Sequence, residues 1–351
     1  MIYNIYPTKD ATLYDYSASM NTGNDPILEI EKTNTLATSI HLARSIISFD
    51  WATASSSLEN LPRYTATGAE YKLKLYTSKA KEIPYSYKLE AHPVSTQDWQ
   101  MGIGKRNDTP VTTKGVSWGF TDYSGSTAWT IPGGTTASLH FHQTQSFEFE
   151  STDVEINVSK SIAVWENSPV SNKGLLLQYS GGLETDTLSY GNIQFFSRDT
   201  NTIYSPRIQV GYDDSVWDTG SMDPVTSDEI LVYIKNNKYE YQETEVARFE
   251  VRSRDIYTTA TYATTSAALT NYYLPTGSYY SIKDAETEES VIDFNSSYTK
   301  VSCTGSGNFF DVAMKSLTPE RLYKIVMKVE DRNYVGQVEY FDSNHVFKVV
   351  R

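Results

Sequence analysis

The sequence predicts an all-β protein built from more than one β-sandwich, and three observations carry that expectation. Apolar and polar residues alternate with a period of two along most of the chain, while helical periodicity is nearly absent. The residues between are rich in Thr, Ser and Tyr, with 27 Tyr against 13 Phe, a composition suited to pleated, half-solvated surfaces. Clusters of Gly, Pro, Ser and Asn break the pattern at short intervals, as antiparallel sandwiches require. At 351 residues the chain exceeds the roughly 250–300 residues at which a single core stops growing, so several domains are expected.

Taken in order, the alternation places strands at Tyr71, Leu73 and Leu75, with Lys72 and Lys74 on the opposite face, and at Phe147 and Phe149 between Glu148 and Glu150. It returns over Val154–Val158, Leu175–Tyr179 and Ile208–Tyr212. Near the C-terminus Tyr323, Ile325, Met327 and Val329 share a face opposite Lys324 and Lys328. Turns are expected at Pro132-Gly133-Gly134, Ser180-Gly181-Gly182 and Thr304-Gly305-Ser306-Gly307. Alternation lapses at 213–227, where Asp213, Asp214, Asp218 and Asp223 mix with Gly, Ser and Pro. This segment is read as an extended linker, with Trp217 docked on a neighbouring domain. The division expected is 1–212, a linker at 213–227, and 228–351 as one or two further sandwiches.

Composition also excludes function classes. The formal net charge of −13 is scattered, which speaks against a nucleic-acid binder, since that needs a basic patch. No stretch approaches the ~18 apolar residues of a membrane span. The opening Met1–Pro7 lacks a basic segment followed by an apolar run, so synthesis and residence in a cytoplasm are expected and the sequons at Asn107, Asn157 and Asn295 carry no weight. The single cysteine, Cys303, is read as a small buried hydrophobe.

Catalytic and cofactor signatures are absent. His140 and His142 stand two apart on one strand face and suit two Zn²⁺ ligands, but no third ligand has motif spacing, so no metal is expected. No calcium loop is present; Asp213, Asp214 and Asp218 are read as solvated linker residues. Gly102-Ile103-Gly104-Lys105-Arg106 lacks the strand-loop-helix setting of a phosphate loop and is read as a basic loop tip. No nucleophile elbow, His-Glu-x-x-His or Cys–His pattern occurs. The expectation is a protein that is not an enzyme and holds no cofactor.

Two surfaces remain as candidates. Trp99, Trp118, Phe120, Tyr123 and Trp129 cluster in a long polar segment, where aromatic faces can stack on a sugar ring; the alternative is that Trp118 and Trp129 anchor a core. Tyr272, Tyr273, Tyr279 and Tyr280, flanking Leu274-Pro275, are a candidate oligomer contact, because tyrosines bury a ring and keep a wet hydroxyl.

Ile5–Tyr14 with its Asp10-Ala11-Thr12 unit, Asn21-Thr22-Gly23 followed by Pro26–Ile30, Ala43-Arg44-Ser45-Ile46-Ile47-Ser48-Phe49-Asp50, and then Asn172–Leu177, Phe195–Asp199 and Ser205–Val210 follow one another in order and spacing. By these stretches the first 212 residues resemble the DNRLRE-type domain, a jelly-roll-like β-sandwich related to carbohydrate-binding modules and found on surface and phage proteins. The region 80–135 departs from it, being longer and richer in Trp. The last third is similar in texture to immunoglobulin-like modules of phage virion proteins. There Leu317-Thr318-Pro319 feeds Tyr323, whose hydroxyl is expected to bond back to the backbone a few residues upstream. Together these resemblances imply a structural component of a bacteriophage virion, in its tail, baseplate or neck, assembled in the host cytoplasm with other virion proteins and as a homo-oligomer. The alternative they imply is a fibre or adhesin that binds host surface glycans through the N-terminal sandwich.

Overall fold

The computed structural model describes residues 1–34, 40–94, 97–137, 141–148, 151–167, 171–225, 229–235, 237–257, 271–330 and 338–351. Among them the chain is all-β apart from three short α-helices. It runs through β1 (Ile2–Ile5), β2 (Lys9–Tyr14), β3 (Ile27–Asn34), β4 (Ile40–Ser48), β5 (Glu70–Leu75), β6 (Thr77–Lys81), β7 (Ser86–Pro93), β8 (Phe120–Asp122), β9 (Thr127–Ala128), β10 (Gln143–Glu148), β11 (Val154–Asn157), β12 (Leu175–Tyr179), β13 (Gly191–Phe196) and β14 (Arg207–Gly211). There follow β15 (Ile230–Lys235), β16 (Glu240–Gln242), β17 (Val246–Asp255), β18 (Ser278–Asp284), β19 (Ser290–Ile292), β20 (Ser302–Thr304), β21 (Gly307–Ala313), β22 (Leu322–Glu330) and β23 (Val338–Val350). The helices are α1 (Trp51–Glu59), α2 (Ser159–Glu166) and α3 (Gly181–Thr185).

Two compact units divide the chain, and they do not follow its order. The larger comprises Ile5–Ser56 and Glu70–Gln209; the smaller gathers Met1–Asn4, Ser57–Ala69 and Val210–Arg351. Residues 213–225, expected as a linker, lie inside the smaller unit and are bonded there. Cys303 N donates to Val216 O at 2.8 Å, Asp218 N to Cys303 O at 3.0 Å and Tyr273 N to Asp223 O at 3.0 Å. Trp217 stands edge-on to Tyr273 with ring centroids 6.2 Å apart. Low alternation here marks a segment held by backbone hydrogen bonds and by single side chains, Asp213 to Lys300 and Asp214 to the Met1 amino group, not by a buried strand face.

In the larger unit one sheet runs β10-β7-β12-β4-β3-β13-β6, with β2 also paired to β4. A second set places β14 beside β5 and β5 beside β11. The expected alternation holds in β5, where Tyr71, Leu73 and Leu75 are buried between half-buried lysines. It fails in β12, whose Leu175, Leu176 and Leu177 are all sealed: Leu176 belongs to a cluster with Leu13, Ile46, Trp99 and Trp129, so this strand is covered on both faces. The turn expected at Ser180-Gly181-Gly182 instead opens α3. Helix α2 buries Ser161, Ile162 and Trp165, a spacing of one and four that marks one helical face.

In the smaller unit one sheet runs β15-β17-β21-β20 and another β16-β23-β22-β18-β19. The expected back-bond is present: the Tyr323 hydroxyl donates to Thr318 O at 2.7 Å. Cys303 is buried and unpaired.

Candidate functional site

Adjacent strands β3, β13 and β6 present two rows of polar side chains on one face. The register places Glu29 opposite Gln194 and Glu31 opposite Asn192, and then Gln194 opposite Lys79 and Asn192 opposite Lys81. Residues directly opposite share a face, so each row reads carboxylate, amide, ammonium. Glu31, Lys79, Lys81, Asn192 and Gln194, with Thr33, Glu82, Gly191 and Arg106, line an open cavity of about 210 Å³.

Arg106 reaches this face because a distant loop is locked down. Asn21, fully buried, donates from Nδ2 to Met101 O at 2.7 Å and to Val116 O at 2.8 Å, and its Oδ1 accepts from Gly104 N at 2.8 Å. A Cβ on Gly104 would fall 2.3 Å from Asn21 O, and one on Gly102, whose φ is +79°, 2.2 Å from Lys114 O. The paired glycines therefore serve close backbone approach, not a phosphate. The expected basic loop tip is corrected for Arg106: Lys105 is exposed, but Arg106 turns inward, because Asp25 Oδ2 accepts its backbone N–H at 2.9 Å. Its guanidinium lies over the Tyr14 ring at 5.2 Å and its Nη2 donates to the exposed Tyr16 hydroxyl at 3.4 Å.

Glu29, only 3% exposed, is the hub. Its Oε1 accepts from Arg106 Nη1 at 2.5 Å and from Gln194 Nε2 at 3.0 Å, and its Oε2 from Asn192 Nδ2 at 2.9 Å. Glu31 accepts from Asn192 Nδ2 at 3.2 Å and from the Thr33 hydroxyl at 3.0 Å. Because the carboxylates hold both amide NH₂ groups, the Asn192 and Gln194 carbonyl oxygens are left as acceptors beside the exposed ammonium groups of Lys79 and Lys81. Lys81 pairs with Glu82 at 3.4 Å. Both glutamates are committed to fixed partners: Glu29 to Arg106, Gln194 and Asn192, and Glu31 to Asn192 and Thr33.

Of the five aromatic residues weighed between sugar stacking and core anchoring, Trp99 and Trp129 belong to the core. Trp99 is fully buried and Trp129 is 4% exposed, and both pack on Leu13, Ile46 and Leu176. Their indole N–H groups donate to Lys173 O at 2.8 Å and to Ser117 O at 3.0 Å. Trp118 is half-buried beneath Arg44, 4.9 Å from its ring. Phe120 and Tyr123 meet edge to face at 4.9 Å, and of the five only Tyr123 is exposed. The three indoles cover the apolar face that β2, β4 and β12 leave open.

The tyrosine contact surface is likewise divided. Tyr280 is 2% exposed and stacked on Phe310 at 4.2 Å, so it belongs to the core. Tyr272, Tyr273 and Tyr279 are half-buried. His140 lies outside the described residues. His142 stacks on His92 from β7 at 5.2 Å, and His92 Nε2 is 2.9 Å from Glu90 Oε1. Burial pushes the Glu90 carboxyl up, but the adjacent His92 imidazole and the hydrogen bond from Gln178 outweigh it and hold the pKa below the usual range. Among the described residues no group of three or more His, Cys, Asp or Glu side chains is placed to hold a metal ion. Nor, among them, is any helix long and apolar enough to cross a membrane.

Sequence reasoning missed the polar rows. Their signal was three polar pairs spaced by two, Glu29 and Glu31, Lys79 and Lys81, Asn192 and Gln194, each reading as an ordinary wet strand face until the register aligns them.

No known protein family and no curated protein matches the chain. Among solved structures, the adhesin domain of Epf from Streptococcus pyogenes aligns over 98% of this chain and 98% of that one, at 8% identity and a TM-score of 0.17. A β-glucuronidase from Ruminococcus gnavus, in complex with uronic deoxynojirimycin, aligns over 97% of this chain and 46% of that one, at 10% identity and a TM-score of 0.13. Scores this low carry no argument about fold or function.

Proposed function

We propose that the chain is a non-catalytic, jelly-roll-like glycan-recognition protein whose ligand lies on the polar rows of β3, β13 and β6. The observation that carries this reading is the pair of amides held by Glu29 and Glu31, which leaves two carbonyl acceptors beside two ammonium donors. Sugar hydroxyls both donate and accept, and the amide carbonyls, fixed by Glu29 and Glu31, accept from them without ordering first, while the exposed lysines supply donors. Exposed Tyr16, tied to Arg106, supplies an aromatic edge. A glycan array probed with the full chain tests it. Binding that is lost in Asn192→Ala supports the reading, and absence of binding to any arrayed glycan overturns it.

The resemblances in the sequence support a second proposal, that the chain is a structural component of a phage particle with immunoglobulin-like C-terminal material. A fibre subunit serves both roles. Peptide mass spectrometry of purified virions is the check, with several copies per particle expected and absence from intact particles the contrary result.

A further inference from the structure

Edge strands expose unpaired backbone groups and are normally blunted. In the larger unit β6 carries exposed Lys79 and Lys81 and a register shift beside Gln194, and Gln145 of β10 is tied to β11 through Asp153 O and Glu155 N. In the smaller unit β23 is bulged opposite Lys324–Val326 and holds Asn344 at a φ of +50°. Strands β19 and β20 are three residues long. Among the described residues strand β15 has neither a register shift nor a left-handed residue, and its one lysine, Lys235, stands at its very end. It ends its sheet, pairs with β17 over six residues without a shift, and contains no proline. Its outer face offers Leu231 and Tyr233, 38% and 40% exposed, between exposed Glu229 and Lys235.

The order of those four residues selects an occupant. If a second β15 runs antiparallel about a two-fold axis at Val232, Glu229 of one copy faces Lys235 of the other and Leu231 faces Tyr233. The same two contacts repeat across the axis. On the inner face Ile230 meets Ile234 and Val232 meets itself. Opposite charges and an aromatic–aliphatic pair are the cross-strand combinations that stabilise antiparallel sheets. A two-fold contact requires this self-complementarity. We propose that the chain associates with a second copy of itself by antiparallel pairing of β15 edges, joining two four-stranded sheets into one continuous sheet.

Sedimentation equilibrium of the full chain over a concentration series tests this by charge exchange. Wild type is expected to dimerise reversibly. Lys235→Glu places two glutamates opposite one another at both ends of the contact, and Glu229→Lys places two lysines. Each is expected to weaken association by roughly tenfold. The double variant E229K/K235E restores opposite charges with exchanged polarity and is expected to recover the wild-type dissociation constant. Unchanged melting curves of all three variants separate this from unfolding. A wild type that stays monomeric at its highest soluble concentration, single variants that dimerise unchanged, or a double variant that fails to recover would each overturn the proposal.

Discussion

Asp10 shows how one residue sets a pH dependence. It is 1% exposed, and burial raises its carboxyl to about 7 although Arg198 N–H donates to it at 2.7 Å. The unfolded value is about 3.9. A folded pKa above the unfolded one means that the fold prefers the protonated acid. Its contribution is complete below about pH 4 and is lost as pH rises through about 7. Asp10→Asn, neutral throughout, is therefore expected to match wild type near pH 4 and to exceed it by roughly 2–4 kcal/mol at about pH 8.5 in urea titrations. Equal stability at both pH values would mean the carboxyl is not desolvated as described. Tyr323→Phe removes the bond to Thr318 O and is expected to cost about 1 kcal/mol in the same assay. That bond was legible in the sequence, because a turn and the tyrosine that closes it lie five residues apart. Asp10 was legible only as part of a motif; nothing local announces that both faces of β2 are covered.

Among elements, the loop that carries Arg106 depends on Asn21. Replacing Asn21 with Ala removes bonds to Met101, Gly104 and Val116 and leaves those buried groups without partners. A loss of roughly 2–4 kcal/mol is expected, with faster amide hydrogen exchange at Gly104 and Val116. Retained protection there would show that the glycines alone hold the loop. Strands were readable wherever one face is wet, as in β5 and β22. In β12 the strand was legible with its bounds, Leu175–Tyr179, but not that both its faces are covered, and helix α1 was missed because Ser and Ala fill most of Trp51–Glu59. The polar rows were hidden for a different reason. Their three strands are far apart in sequence, and only pairing register brings Glu31, Asn192 and Lys81 into line. The tryptophans left two readings open, since a polar segment studded with indoles reads the same whether it covers a core or binds a ring.

At the level of the whole molecule, the smaller unit is discontinuous, drawing Met1–Asn4 and Ser57–Ala69 together with Val210–Arg351. Asn4 N donates to Ser316 Oγ at 3.0 Å and Arg63 Nη1 to Asp214 O at 2.8 Å. A fragment 228–351 lacks these partners and the 213–225 strap, and is expected to show no cooperative melting transition. An independently folding fragment would restore the sequential division that the linker composition suggested. The central claim is that recognition belongs to the polar rows and not to the aromatic loop. The most direct test is calorimetric titration of the best array ligand into wild type, Asn192→Ala and Tyr123→Ala, each first shown to melt as wild type does. Affinity is expected to fall by roughly tenfold or more in Asn192→Ala and to be unchanged in Tyr123→Ala. The reverse pattern would contradict the central claim and return the site to the loop between Trp99 and Trp129.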